Sequence, residues 1–152
     1  MSAQYSSKHG IVSKSQAELY MSFVDLSNFA RMIPANEKVS VTADYDSLTA
    51  TVQGFTIGVK MTGRVPYTLL QMQDNNAPFH FGVSLHFDPA DIQGKTDFWI
   101  EADADLNLMM KAMLGKKIQE GLDKIVDSLV DISEGRMPAD LPKDFNPGDF
   151  NV

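Results

Sequence analysis

The stretch ADLNLMMKAMLGKKIQEGLDKIVDSL, residues 104–129, has the apolar spacing of one long amphipathic helix. Asp105 or Asp103 can cap its start, and the pattern predicts a helix from about Leu106 to about Ile132. A helix of this length needs an apolar surface to pack against. The sequence before it supplies one.

Three methionines give the first half of this helix a distinct character. At about 100° per residue, Met109, Met110 and Met113 lie within roughly 80° of Leu106, and the apolar stripe beyond Gly115 lies roughly 80° to 160° further round. We expect either a bend near Gly115 or burial of the first half on two sides. Methionine adapts to irregular surroundings, so ordinary core, a cavity wall and a self-association surface all stay open.

Six successive segments before the helix alternate apolar and polar residues, which is typical of antiparallel strands with one apolar face. His80, His86, Trp99, Lys60 and Arg64 alternate with the apolar residues and are predicted on the opposite face. The side chains predicted on the apolar face are Phe55, Ile57, Val59, Met61, Val65, Phe79, Phe81, Val83, Leu85, Phe98 and Ile100.

The first part of the chain predicts one strand and two short helices. Residues 5–13 are compatible with a strand. Ser15 and Glu18 have the spacing of a capping box that begins a helix. Asp25 can cap a second helix, which Pro34 ends.

The length and composition set the class of protein. A chain of 152 residues fits one domain, predicted over residues 1–135, with an irregular tail over residues 136–152 that is rich in proline. The net charge of −7 argues against nucleic-acid binding, which needs a basic face. The absence of cysteine excludes disulfides and thiolate sites. The N-terminus lacks the apolar core of a signal peptide and no apolar run reaches about 18 residues, so we expect a cytoplasmic protein without stable membrane insertion.

Three stretches together carry a resemblance to a known group of proteins. They are VDLSNFARMIP (residues 24–34), GFTIGVKM (residues 54–61) and the helix of residues 104–129. With the element order β-α-α-β6-α over about residues 13–133, the chain resembles the START-like (SRPBCC, helix-grip) superfamily, which includes polyketide cyclase-like proteins, in a small bacterial branch. The resemblance implies an α+β fold in which a curved antiparallel sheet of about seven strands wraps a long C-terminal helix.

The resemblance also implies a class of ligand. Related proteins leave a cavity between sheet and helix for lipids, polyketides or other apolar molecules, so we expect a hydrophobic small molecule to bind there, without a cofactor. The residues predicted to line the cavity are Phe55, Ile57, Val59, Met61, Phe81, Val83, Phe98, Ile100, Met109, Met110 and Met113. A side-chain-filled core is the alternative reading of the same apolar face.

The sequence contains no catalytic constellation and no metal-binding motif. His80 and His86 are predicted to be surface histidines, and the acidic run of residues 101–107 lacks the glycine and glutamate of a calcium loop because Leu108 and Leu114 take those positions. Two alternatives remain open. One is a cyclase- or dehydratase-like enzyme that uses the same cavity. The other is a protein-interaction module, with a homodimer through the methionines as one form of it.

Overall fold

The architecture comes from a computed structural model that describes residues 2–28, 39–52 and 55–135. Its strands and helices are β1 (Ser2–Ser6), β2 (Gly10–Val12), α1 (Gln16–Phe23), β3 (Val39–Ala43), β4 (Ser47–Val52), β5 (Phe55–Val65), β6 (Leu69–Asp74), β7 (Phe81–Pro89), β8 (Thr96–Asp105) and α2 (Leu108–Ser133).

All the strands belong to one antiparallel sheet in the order β1-β8-β7-β6-β5-β4-β3, with β2 also paired to β8. The predicted α+β helix-grip fold is therefore confirmed, including six consecutive strands between the early helical region and the long helix. Within the described ranges the curved sheet has eight strands rather than about seven.

The extra strand arises because the predicted first strand is split at Ser7. The buried Ser7 hydroxyl accepts a hydrogen bond from Ile100 N–H at 2.8 Å, and Ser7 N–H donates to Ile100 O at 2.8 Å. At this point between the two strands, Ile100 N–H is bound by the Ser7 side chain instead of by a backbone carbonyl. The chain then rejoins β8 at Gly10 as β2.

The predicted capping box begins α1. Ser15 Oγ accepts from Glu18 N–H at 3.2 Å, and the Glu18 carboxylate accepts from Ser15 N–H at 3.3 Å. These bonds satisfy backbone donors that a helix start leaves open. Residues 26–28 are also helical, whereas the rest of the predicted second helix and the tail of residues 136–152 lie outside the described residues.

The long helix α2 starts later than predicted and has a different cap. Strand β8 continues to Asp105, and the Asn107 side chain, not Asp103 or Asp105, accepts the hydrogen bond from Met110 N–H at 2.8 Å. The two aspartates belong to the end of the strand. α2 then runs over the β1, β2 and β8 side of the sheet.

Gly10 on β2 allows this close packing of α2. A Cβ added at Gly10 would lie 2.5 Å from Val126 Cγ1, and Val126 is fully buried in the helix. The missing side chain therefore lets the helix approach the strand backbone. The main core lies here, between α1, α2 and strands β2, β6, β7 and β8.

A β-bulge in β5 places Arg64 and Val65 on the opposite faces of the sheet from those predicted. The cross-strand pairing with β6 shifts between Met61 and Gly63, so Arg64 pairs with the fully buried Leu70. Residues directly opposite each other share a face, and Arg64 therefore lies on the inner, apolar face. Val65, predicted on that face, is instead 48% exposed on the outer one.

Candidate functional site

The inner face of the sheet is covered unevenly. Leu85, Phe87, Phe98 and Ile100 on β7 and β8 are buried under the two helices. Towards the other edge the cover thins, and Ile57 on β5 is 43% exposed. The inner face is therefore closed at one side and open at the other.

The structure divides the predicted lining residues by burial. Phe98 and Ile100 belong to the packed core, where the Phe98 ring lies 5.4 Å from Phe87 and 6.2 Å from Phe23, centre to centre. The half-buried members are Val59, Met61, Phe81, Val83 and Met110. The exposed members are Ile57, Met109 and Met113. The Phe55 side chain lies outside the described parts of the structure. Whether the set encloses a ligand stays a prediction.

The methionines of α2 do not share one environment. Met110 packs on a second apolar cluster formed by Ala3, Ala104 and Leu106. Met109 and Met113 are 72% and 66% exposed. The first half of α2 therefore has one flank packed on β1 and β8 and a neighbouring flank that is apolar and open.

Tyr5 brings a polar atom into this second cluster. Its side chain comes from β1, where it pairs with Ala102, and packs beside Phe81, Met110 and Ile118. Within the described part of the chain, the buried Tyr5 hydroxyl has no hydrogen-bond partner. Sequence reasoning missed this residue because the register of the first strand was not fixed by its mixed composition.

Arg64 is another polar side chain on the inner face, and its guanidinium makes several hydrogen bonds. Its guanidinium donates to Val24 O at 3.1 and 3.2 Å, to Tyr45 O at 2.9 Å and to the Asp46 carboxylate at 2.8 Å. It also lies 4.1 Å from the centre of the Tyr45 ring. Arg64 therefore joins the end of α1 to the β3–β4 turn.

The outward aromatic residues form a stack. Trp99 lies between His86 at 4.0 Å and His9 at 4.8 Å, centre to centre, with ring planes 10° and 18° apart. Trp99 Nε1 donates to Asp88 at 2.8 Å, and His86 Nε2 lies 2.6 Å from the Glu101 carboxylate. Two imidazoles cover Trp99. His86 is half-buried instead of solvent-exposed as predicted.

His80 is exposed on the outer surface, as predicted. A hydrogen bond with the Asp74 carboxylate, 2.9 Å from His80 Nδ1, raises the pKa of the imidazole above its ordinary value of 6.5. The pKa of Asp74 is lowered, mostly by the hydrogen bond from Phe81 N–H and next by the hydrogen bond with His80. The His80 side chain is 85% exposed, whereas the Asp74 side chain is only 18% exposed. Asp74 pairs with Val59 of β5, so it lies at the end of β6 on the inner side of the sheet.

A small polar groove also opens on the outer face of the sheet, with a volume of about 170 Å³. It is lined by Gln4, Tyr5, Ser6, Ser84, Glu101, Ala102 and Asp103. Its polar, acidic walls do not suit an apolar molecule. Among residues 2–28, 39–52 and 55–135, no cluster of His, Asp or Glu is arranged to hold a metal ion, and no helix is both long and apolar enough to cross a membrane.

Comparison with solved structures shows which fold this geometry shares. Norcoclaurine synthase from Thalictrum flavum, solved with dopamine and hydroxybenzaldehyde, has a TM-score of 0.68 and 13% identity, over 89% of this chain and 88% of that one. A Thermobifida fusca protein solved by NMR has a TM-score of 0.66 and 12% identity, over 87% of this chain and 93% of that one. A Chromobacterium violaceum protein has a TM-score of 0.51 and 16% identity, over 85% and 96% of the two chains.

No protein-family model matches the sequence, and no curated protein matches it significantly. The structural neighbours have the START-like, birch-pollen-allergen-like fold. At these identities the likeness shows the shared fold alone. The chain has a helix-grip fold.

Proposed function

We propose that the protein binds a hydrophobic small molecule between the inner face of the sheet and α2. The observation that carries the proposal is the open side of the apolar inner face, where Ile57 remains exposed and Val59, Met61 and Val83 are half-buried. Exposed apolar surface on a concave sheet is a favourable environment for an apolar ligand. Norcoclaurine synthase has been solved with small aromatic molecules on the same fold, which supports this class of ligand.

Native mass spectrometry followed by denaturing extraction tests the proposal, together with thermal-shift measurements on fatty acids, sterols and aromatic polyketides. Val83→Trp adds bulk on the inner face and should abolish the ligand-induced thermal shift. Val65→Trp adds the same bulk on the outer face and should leave it unchanged. Circular dichroism first confirms that both variants fold. A wild-type protein with no co-purified ligand and no thermal shift contradicts the proposal.

A cyclase- or dehydratase-like enzyme needs an ionisable group free to act on the ligand. The cross-strand pairs place the ionisable residues Tyr5, Arg64 and Asp74 on the inner face. Arg64 is held by two carbonyls and a carboxylate, and the Asp74 carboxylate is bound to His80 and to Phe81 N–H. The Tyr5 hydroxyl is buried against Gly115, so none of these three groups is open to a ligand in this conformation. Binding without chemistry is therefore the better-supported function. Conversion of a bound polyketide into a product by the wild-type protein would favour the enzyme function over binding alone.

The second candidate is a protein-interaction module, favoured by the exposed Leu108, Met109 and Met113 at the start of α2. Three apolar side chains along one helix start are typical of a contact surface. In this function a Met109→Glu and Met113→Glu variant loses a partner, or a homodimer, while small-molecule binding is unaffected. Sedimentation of the wild-type and variant proteins separates the two candidates.

A further inference from the structure

The Tyr5 hydroxyl is a polar group placed in apolar surroundings without compensation. It lies in the cluster of Ala104, Phe81, Met110 and Ile118, and it has no hydrogen-bond partner among the described residues. A buried hydroxyl that lacks a partner destabilises the state in which it is buried. Phenylalanine at this position would fill the same space without that cost. The hydroxyl is therefore available to a polar group that the described residues do not supply.

Gly115 of α2 lies against this hydroxyl. A Cβ added at Gly115 would lie 3.0 Å from Tyr5 Oη and 3.7 Å from Tyr5 Cε1. Glycine lowers helix stability relative to alanine, and here it lets the hydroxyl rest against the helix. The Tyr5–Gly115 contact thus places the hydroxyl at the junction of β1 and the first half of α2.

The two halves of α2 are held to the sheet by different contacts. Side-chain bonds tie the later part of α2 to the first strands: Gln119 Nε2 donates to Ser6 O at 2.7 Å, and the Asp123 carboxylate accepts from Lys8 N–H at 2.7 Å. The turns before Gly115 carry the exposed Met109 and Met113 instead. Access to the Tyr5 hydroxyl from the apolar side of the sheet requires an outward movement of these turns.

We infer that Tyr5 is the polar anchor of the ligand site, and that the ligand is a hydrophobic molecule with a carbonyl or hydroxyl oxygen at one end. The oxygen forms a hydrogen bond with Tyr5 Oη. The apolar body of the ligand lies along the inner face of the sheet and against Met109 and Met113 of α2. This inference rests on the proposed function and narrows its ligand class from any apolar molecule to one with a terminal oxygen.

A pair of isosteric probes tests the inference on the full chain. 2-Acetylnaphthalene carries a carbonyl oxygen where 2-isopropenylnaphthalene carries a methylene group, and the two have nearly the same shape. The wild-type protein should bind the ketone roughly tenfold more tightly, which is the scale of one well-made hydrogen bond in an apolar site. Tyr5→Phe should bind both probes equally, with the hydrocarbon affinity unchanged. Its own melting temperature should rise, because the uncompensated hydroxyl is removed.

A double-mutant cycle checks the contact without any ligand. Gly115→Ala should raise the melting temperature more in the Tyr5→Phe background than in the wild-type background, because the new Cβ would lie 3.0 Å from Tyr5 Oη only when the hydroxyl is present. Equal binding of both probes by the wild-type protein overturns the anchor and leaves the proposed function standing, and a buried water on Tyr5 would give this result. Failure of the wild-type protein to bind either probe, or any molecule of the wider panel, overturns both.

Discussion

The interaction that the sequence analysis placed wrongly gives the sharpest test of the fold. Arg64 lies on the inner face, and Arg64→Met keeps the length of the side chain while it removes the guanidinium. The Val24 carbonyl then loses both Arg64 donors, which costs about 1.5–3 kcal/mol for a bond to a charged group. The Tyr45 carbonyl retains the Leu26 N–H donor at 3.2 Å and contributes less.

Two weaker losses add to this. The ion pair with Asp46 is largely exposed and contributes about 0–1 kcal/mol. The contact with the Tyr45 ring contributes roughly 0.5–1 kcal/mol. Because such terms are not additive, we expect Arg64→Met to lower the free energy of unfolding by about 2–4 kcal/mol in total.

Urea unfolding followed by circular dichroism measures this loss. Lys60→Met is the matched control, because Lys60 is exposed on the same strand and its replacement should change the free energy by less than about 0.5 kcal/mol. Arg64→Lys keeps the charge but cannot reach two carbonyls and a carboxylate at once, so it should recover only part of the loss. If Arg64→Met is as stable as Lys60→Met, the inner placement of Arg64 and the bulge that produces it are wrong.

The remaining predictions concern packing and pH. Gly10→Ala should destabilise the protein by about 1–3 kcal/mol in urea unfolding, because its Cβ would overlap Val126. Gly121→Ala, where a Cβ meets nothing within 4 Å, should instead stabilise α2 by up to about 1 kcal/mol, and equal effects at both sites would refute the packing described here. The His80–Asp74 pair should stabilise most between about pH 3.8 and 6.5: its contribution falls as pH rises through the raised pKa of His80, and falls as pH drops through the lowered pKa of Asp74. In an NMR titration, Asp74→Asn should lower the His80 midpoint, and an unchanged midpoint would show that the pair does not form in solution.

The sequence was sufficient where one local rule determined the outcome. The period of two predicted the six strands β3–β8, and the period of the long helix predicted α2. The Ser15–Glu18 spacing predicted a cap that the structure contains. In each case the residues that decide the element are neighbours in the chain, so no distant contact was needed to read it.

The failures share a different cause. The bulge after Met61 reverses the facing of Arg64, and the bond from Ile100 to the Ser7 hydroxyl divides the first strand, yet neither event changes the alternation of the sequence. Both depend on partners more than five residues away. A period of two predicts which residues share a face only until one extra residue is inserted, and one insertion exchanges the faces of all that follow.

The helical period also explains why Met109 and Met113 of α2 are exposed. Met110, Ile118, Leu122 and Val126 pack on the sheet, and a stripe with steps of four or eight residues turns about 40° further round the helix at each four-residue step. Met109 precedes the packed Met110 by one position, and Ile125 precedes the packed Val126 in the same way. These two exposed residues therefore lie on the same side of the packed stripe, although they are 16 residues apart in the chain. The shift in direction beyond Gly115 is therefore the turning of one stripe, and the pattern needs no bend. Lys117 and Gly121 precede Ile118 and Leu122 in the same way, so the apolar part of this flank is confined to Met109 and Met113 before Gly115 and to Ile125 beyond it. An apolar ligand on α2 would therefore contact the first turns of the helix, next to the Tyr5–Gly115 contact, rather than its whole length.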